Sequence, residues 1–241
     1  MSLRTVLGLS VVLAGGLLTR GVEACGVSAS GVASCSLAEH EEASRPHWAV
    51  GLSGLWTSTR LRFSNSVRAD ETRYGALASL AYVPSRKLVL QLGAGATFAG
   101  RLVAADQTYD FSPGPLASLG ADYRVFESER VFVMLTSALA FSAARTRLGA
   151  APTVGYAALD VRLGGEVGVQ LARVFRPYAL ARVFGGPVFW RYQGQAVTGT
   201  DTHHYQLGAG LALRLPKNFN AFVEGVPLGE RALSFGGGMA F

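Results

Sequence analysis

The chain has 241 residues, enough for one sizeable domain, of which 49% are hydrophobic and only 16% charged, with 30 glycines; soluble domains usually carry about 25% charged residues. Its formal charge of +6 is dispersed, only Lys87 and Lys217 are lysines, and no basic helix or lysine-rich block points to nucleic acid. After the N-terminus no run of ~18 apolar residues occurs, which excludes a membrane-spanning helix, so an integral protein of this composition has to be a barrel.

Residues 1–24 read as a cleaved signal peptide: Arg4 supplies the positive end, Val6 to Leu18 the apolar stretch, and Val22-Glu23-Ala24 a small-residue cleavage site. The mature chain is expected to start at Cys25. Cys25 and Cys35 are the only cysteines, and in an oxidising compartment they are expected to close a small disulfide loop. A Cys at the first mature position also suits lipidation, although Glu23 fits such a signal poorly. A redox or metal site would need further ligands, which the neighbouring sequence lacks, so no cofactor is expected. Residues 25–46, ending in the polar SLAEHEEASRP, form a periplasmic tail before the body of the fold at 47–241.

From His47 onward apolar and polar residues alternate with period 2, the mark of half-buried strands. Ten strands are predicted, over 47–60, 74–83, 88–100, 115–126, 131–141, 158–171, 176–184, 205–215, 219–226 and 231–241. In the first, Trp48 and Trp56 share a face eight residues apart; in the second, Tyr74 and Tyr82 do the same. Eight residues at ~3.3 Å, tilted ~40°, cover roughly 20 Å, close to the ~25 Å band between aromatic girdles of a membrane barrel. Tight turns are expected around Ser85, Ser128, Arg173 and Lys217, and long loops around Val67, Gln107, Pro152 and Gln195. That asymmetry, an even strand count and both termini on one side predict an all-β fold: a closed antiparallel up-and-down transmembrane barrel in the outer membrane.

The second face of these strands is mostly Gly, Ser, Thr, Ala and Gln, with isolated charges at Asp122, Arg124, Asp160, Arg162, Glu166, Arg214 and Glu224. Such a face suits a narrow interior in which opposite charges pair, rather than a water-facing exterior. Ten strands enclose little space once side chains fill it, so this ladder reads as structural pairing before it reads as a pore.

The chain ends with Leu233, Phe235, Gly237, Met239 and Phe241 at alternate positions. This end resembles that of the small outer-membrane β-barrels, the family of the OmpA membrane domain and OmpX. A closed barrel predicts that Phe241 closes the last strand against the first near Trp48. The resemblance covers about 47–241 and implies that Phe235, Met239 and Phe241 serve as a signal to the barrel-assembly machinery. It brings no function-bearing motif.

Three sets of residues remain as candidates. Asp201, His203 and His204 in TDTHHY lie near the outer rim, where some barrel hydrolases place His with Asp, but the motifs of omptins and lipid A deacylases are missing. The plain alternative is a solvated loop, and an adjacent His pair with one Asp is a weak metal site. Arg68, Arg73, Arg101, Arg145, Arg147 and Arg191 sit in or beside the outer loops, where guanidinium groups suit lipopolysaccharide phosphates. Phe189, Trp190 and Tyr192 form either a patch for an envelope protein partner or the end of the seventh strand above the lipid. The favoured function is a non-enzymatic scaffold or binding component of the envelope, open to membership of a larger assembly; the alternatives are a narrow porin-like channel and a rim hydrolase.

Overall fold

The computed structural model describes residues 25–27, 33–35, 47–171, 174–216 and 218–241, so the expected signal peptide lies outside the described residues. Every regular element among them is a strand: β1 (Cys25–Val27), β2 (Ala33–Cys35), β3 (His47–Phe63), β4 (Arg68–Ser85), β5 (Leu88–Ala104), β6 (Gln107–Phe111), β7 (Gly114–Glu127) and β8 (Val131–Arg147) lead the chain. They are followed by β9 (Val154–Val169), β10 (Phe175–Gly185), β11 (Val188–Tyr192), β12 (Gln195–Asp201), β13 (Tyr205–Leu215), β14 (Phe219–Gly229) and β15 (Arg231–Ala240). Among the described residues no helix is long and apolar enough to cross a membrane.

Ten staves close on themselves in the order β3-β4-β5-β7-β8-β9-β10-β13-β14-β15, each antiparallel to the next, with β15 returning to β3. At the seam the Phe241 amide donates to the Trp48 carbonyl at 3.0 Å, and the Trp48 amide donates to Phe241 at 3.4 Å. The expected closure at Phe241 is therefore present, and it leaves no unpaired edge for another chain to extend. Hydrocarbon offers no hydrogen bonds, so this closure is what allows the backbone to stand in lipid.

Alternation sets the faces. Leu52, Leu92, Leu119, Leu135, Leu163, Val183 and Phe235 are exposed on the outer wall, while Arg162 and Ser234 beside them in sequence are buried. Trp48 pairs directly with Tyr82 and Trp56 with Tyr74, so each border of the apolar band carries a cross-strand aromatic pair. The rings of Trp48 and Tyr82 are 4.6 Å apart. Such a surface has a favourable place only in lipid.

The expected long outer loops are corrected. The chain turns sharply at 105–106 and 193–194, where Ala105, Asp106, Gln193 and Gly194 all have positive φ, the conformation of two-residue hairpin turns. What reads as loop is strand. β11 continues β10 along β9 in one register, from Gly185 opposite Val161 to Val188 opposite Ala158. Only Gly186-Pro187 interrupts it, because proline has no amide to give the ladder. β6 and β7 likewise share one register on β5 across Ser112-Pro113, with Arg101 opposite Asp110 and Thr97 opposite Gly114.

These extensions change the barrel near its outer end. β14 and β15 turn back early, with Arg231 opposite Ser58. Above them β12 swings across to β3, setting Asp201 opposite Leu61 and Gly199 opposite Phe63. Ten staves in the membrane thus become a closed ring of eight beyond it: β3, β4, β5, β6, β8, β9, β11 and β12.

At the other end β1 and β2 pair with Cys25 directly opposite Cys35, and this small sheet approaches β3, β4, β14, β15 and β7. Residues opposed in an antiparallel pair have Cα atoms ~4.5–5.5 Å apart, a span that a disulfide bridges.

Candidate functional site

The interior is filled in layers. In the outer ring, Leu61, Phe63, Leu102, Tyr109, Phe111, Tyr156, Trp190, Tyr192 and Val197 form one buried apolar cluster. Trp190 is its centre: its ring lies 5.3 Å from Phe63, 4.9 Å edge-on from Tyr109 and 5.0 Å from Tyr192. The indole N–H, which could not be buried unpaired without cost, donates to the Thr146 hydroxyl at 3.0 Å. Trp190 and Tyr192 therefore point into the ring as the outer continuation of the seventh predicted strand, the second of the two readings of this stretch, and not into a surface patch. Phe189, which precedes Trp190 on β11, is exposed, as are Arg145 and Arg147.

Beneath the plug lies a polar layer. The Tyr156 hydroxyl donates to Glu71, which also pairs with Arg73. Arg73 reaches Ser142 Oγ at 2.7 Å. Arg73 thus points into the lumen, although its sequence position suggests an outer loop. On the facing wall Arg162 pairs with Asp160 at 2.5 Å and with Glu230 at 2.9 Å, and Gln206 donates to Glu230 at 2.8 Å. Between these groups is a cavity of about 70 Å³ lined by Arg73, Ser118, Ser142, Asp160, Arg162 and Glu230.

Deeper still, Arg182 joins Glu166 at 2.7 Å and Glu224 at 2.8 Å, and the Tyr178 hydroxyl donates to Glu224 at 3.1 Å. The glycines of this face leave the needed room: a Cβ on Gly164 would stand 2.4 Å from the Arg182 side chain, and one on Gly210 2.2 Å from the Tyr178 ring. Asp122 is buried nearby with neither carboxylate oxygen hydrogen-bonded. Toward the inner mouth Arg124 pairs with Glu127, and Arg176 lies 4.8 Å over the Phe132 ring. Arg214 is half-buried at the inner end of β13, opposite Asn220.

Of the polar ladder read from sequence, Asp122, Arg124, Arg162, Glu166 and Glu224 are buried in the lumen, with Asp160 and Arg214 at its partly accessible margins. Sequence reasoning missed Glu71, Arg176, Arg182, Gln206 and Glu230 as members. Their signal was the shared face of Arg176 and Arg182, obscured because Tyr178, Leu180 and Phe184 also point inward.

The rim histidines are not assembled into a catalytic group. His203 stacks edge-on at 6.2 Å from Tyr205, and His204 Nδ1 lies 3.2 Å from the Phe184 carbonyl oxygen. Asp201 instead accepts from the Thr59 hydroxyl at 2.6 Å. Burial, added to by Glu230, Asp160 and Glu71 and opposed by that hydrogen bond, pushes its carboxyl up to about 7. No group of three or more His, Cys, Asp or Glu among the described residues could hold a metal ion.

The closed ring, its lipid-facing apolar band and its paired aromatic borders define a small outer-membrane β-barrel. No protein-family model matches the sequence, and no curated protein matches it. Among solved structures the chain is similar to the outer membrane protease OmpT from Escherichia coli, at 9% identity over 85% of this chain and 98% of that one, with a TM-score of 0.49. It is also similar to the N-terminal barrel domain of Pseudomonas aeruginosa OprF, at 16% identity over 80% and 97%, TM-score 0.36. The attachment invasion locus protein Ail of Yersinia pestis, in complex with a heparin analogue, aligns at 10% identity over 82% and 99%, TM-score 0.38.

Proposed function

We propose that this barrel is a non-conducting, non-enzymatic scaffold whose working surface is the ring it raises beyond the outer leaflet. The observation that carries the reading is the aromatic core of that ring, in which Trp190, Tyr109 and Phe63 occupy the axis a solute would have to follow. A conducting pore needs a continuous wet path; here Arg182 and its two glutamates are also buried in the lumen below the plug. The hydrolase reading has less support, since neither rim histidine contacts a carboxylate in the described geometry. Phe235, Met239 and Phe241 face lipid, as residues offered to an assembly machinery before insertion would.

Recording from planar bilayers tests the reading. After insertion is verified by the heat-dependent gel shift of folded barrels, the wild type is expected to give silent membranes; regular unitary steps would overturn it.

A further inference from the structure

The eight-stranded ring has an outer wall as well as a core. Its strands alternate aromatic or aliphatic residues inward with arginines outward: Arg62 between Leu61 and Phe63, Arg101 before Leu102, Arg145 and Arg147 around Thr146, and Arg191 between Trp190 and Tyr192. Arg68, before buried Ala69, completes the set, and all six are exposed. None of them forms an ion pair among the described residues. The carboxylates on this wall are few: Asp70 is taken by Arg60 at 2.8 Å, and Asp110 sits in register between Arg101 and Arg147.

Two placements go beyond a solvated charged face. Arg62 and Arg68 are directly opposed across β3 and β4, an arrangement that costs stability unless an anion lies between the two groups. Arg145 and Arg147 stand on one face of β8, as a second pair of forks. All of the set are arginine, which binds phosphate through two parallel hydrogen bonds where lysine offers a point charge. The heights fit a membrane surface: Arg101 lies about 5 Å, and Arg62 and Arg68 about 15 Å, beyond the Trp56–Tyr74 border at ~3.3 Å per tilted residue.

Resting on the reading of the outer ring as the working surface, we infer that this wall is a binding site for the phosphates of lipopolysaccharide, with Arg62/Arg68 and Arg145/Arg147 as two separate clamps.

The test uses the full chain folded in detergent micelles, titrated with fluorescent lipopolysaccharide and with the same glycolipid after its phosphates are removed. R62A/R68A and R145A/R147A, each checked by heat-dependent gel shift, are expected to bind the intact glycolipid about tenfold more weakly. R62K/R68K should fall between, and wild-type binding should weaken as salt is raised. Unchanged affinity in both alanine variants, or equal binding of the dephosphorylated glycolipid, would overturn the site. Displacement by inorganic phosphate at ~10 mM would reduce it to a small-anion site and overturn the lipid assignment. Bilayer recording is independent of these outcomes: a conducting wild type sinks the closed-barrel reading and leaves the lipopolysaccharide titration to stand or fall alone.

Discussion

Arg182 pairs with two glutamates, and all three are buried. Removing one partner of such a set leaves charge without compensation, so R182M should cost about 3–5 kcal/mol of folding stability. Neutralising Glu166 and Glu224 to Gln in the same chain should recover most of it, as read from urea unfolding in lipid vesicles; an R182M chain as stable as wild type would mean the cluster is hydrated and unimportant. Asp201 makes a pH-dependent case, outside the lipid band. Its folded carboxyl titrates near 7, above the ordinary ~3.9, so the stability gained by keeping it protonated is present below pH ~4 and lost as pH rises through 7. D201N keeps a partner for Thr59, so it should be more stable than wild type at pH 8, with the difference vanishing near pH 4. A constant difference across that range would show that Asp201 ionises freely. The charges on the clearest strands were legible one by one, since Asp160, Arg162 and Glu166 interrupt a run of aliphatic neighbours. Glu71 and Glu230 were not: one lies past the expected strand end and the other at a turn, and only the fold shows that both project into the lumen.

The ten staves were readable because lipid and lumen impose opposite demands on successive residues, and the spacing of Trp48 with Trp56 and of Tyr74 with Tyr82 even set the width of the band. The outer extensions escaped for identifiable reasons. Pro113 and Pro187 break the strand pattern without breaking the register, and the turn at Ala105-Asp106 lacks the glycine that normally announces a hairpin. The β11–β12 hairpin is the element on which the plug depends, because it brings Trp190, Tyr192 and Val197 and joins the ring to β3. Replacing 188–200 by a short Gly-Ser turn should leave the ten-stave barrel folded and heat-resistant while giving water access to the polar layer around Arg73 and Arg162. Hydrogen exchange of the Ser64 amide, which donates to the Thr198 carbonyl at 2.8 Å, should accelerate by at least about tenfold in that variant. Retained protection would place the outer closure elsewhere.

At the scale of the molecule, a wall wetted by hydrocarbon encloses a lumen that holds an aromatic cluster above three layers of paired charge. The three tryptophans happen to report on each part: Trp48 and Trp56 at the two lipid borders, Trp190 inside the plug. Steady-state fluorescence of chains retaining one tryptophan each, with the others changed to Phe, in vesicles containing brominated lipid or aqueous acrylamide, measures both surroundings at once. The expected result is strong lipid quenching of Trp48 and Trp56 and little quenching of Trp190 by either agent; ready quenching of Trp190 by acrylamide, or Trp48 and Trp56 indifferent to brominated lipid, would contradict a closed barrel standing in the membrane.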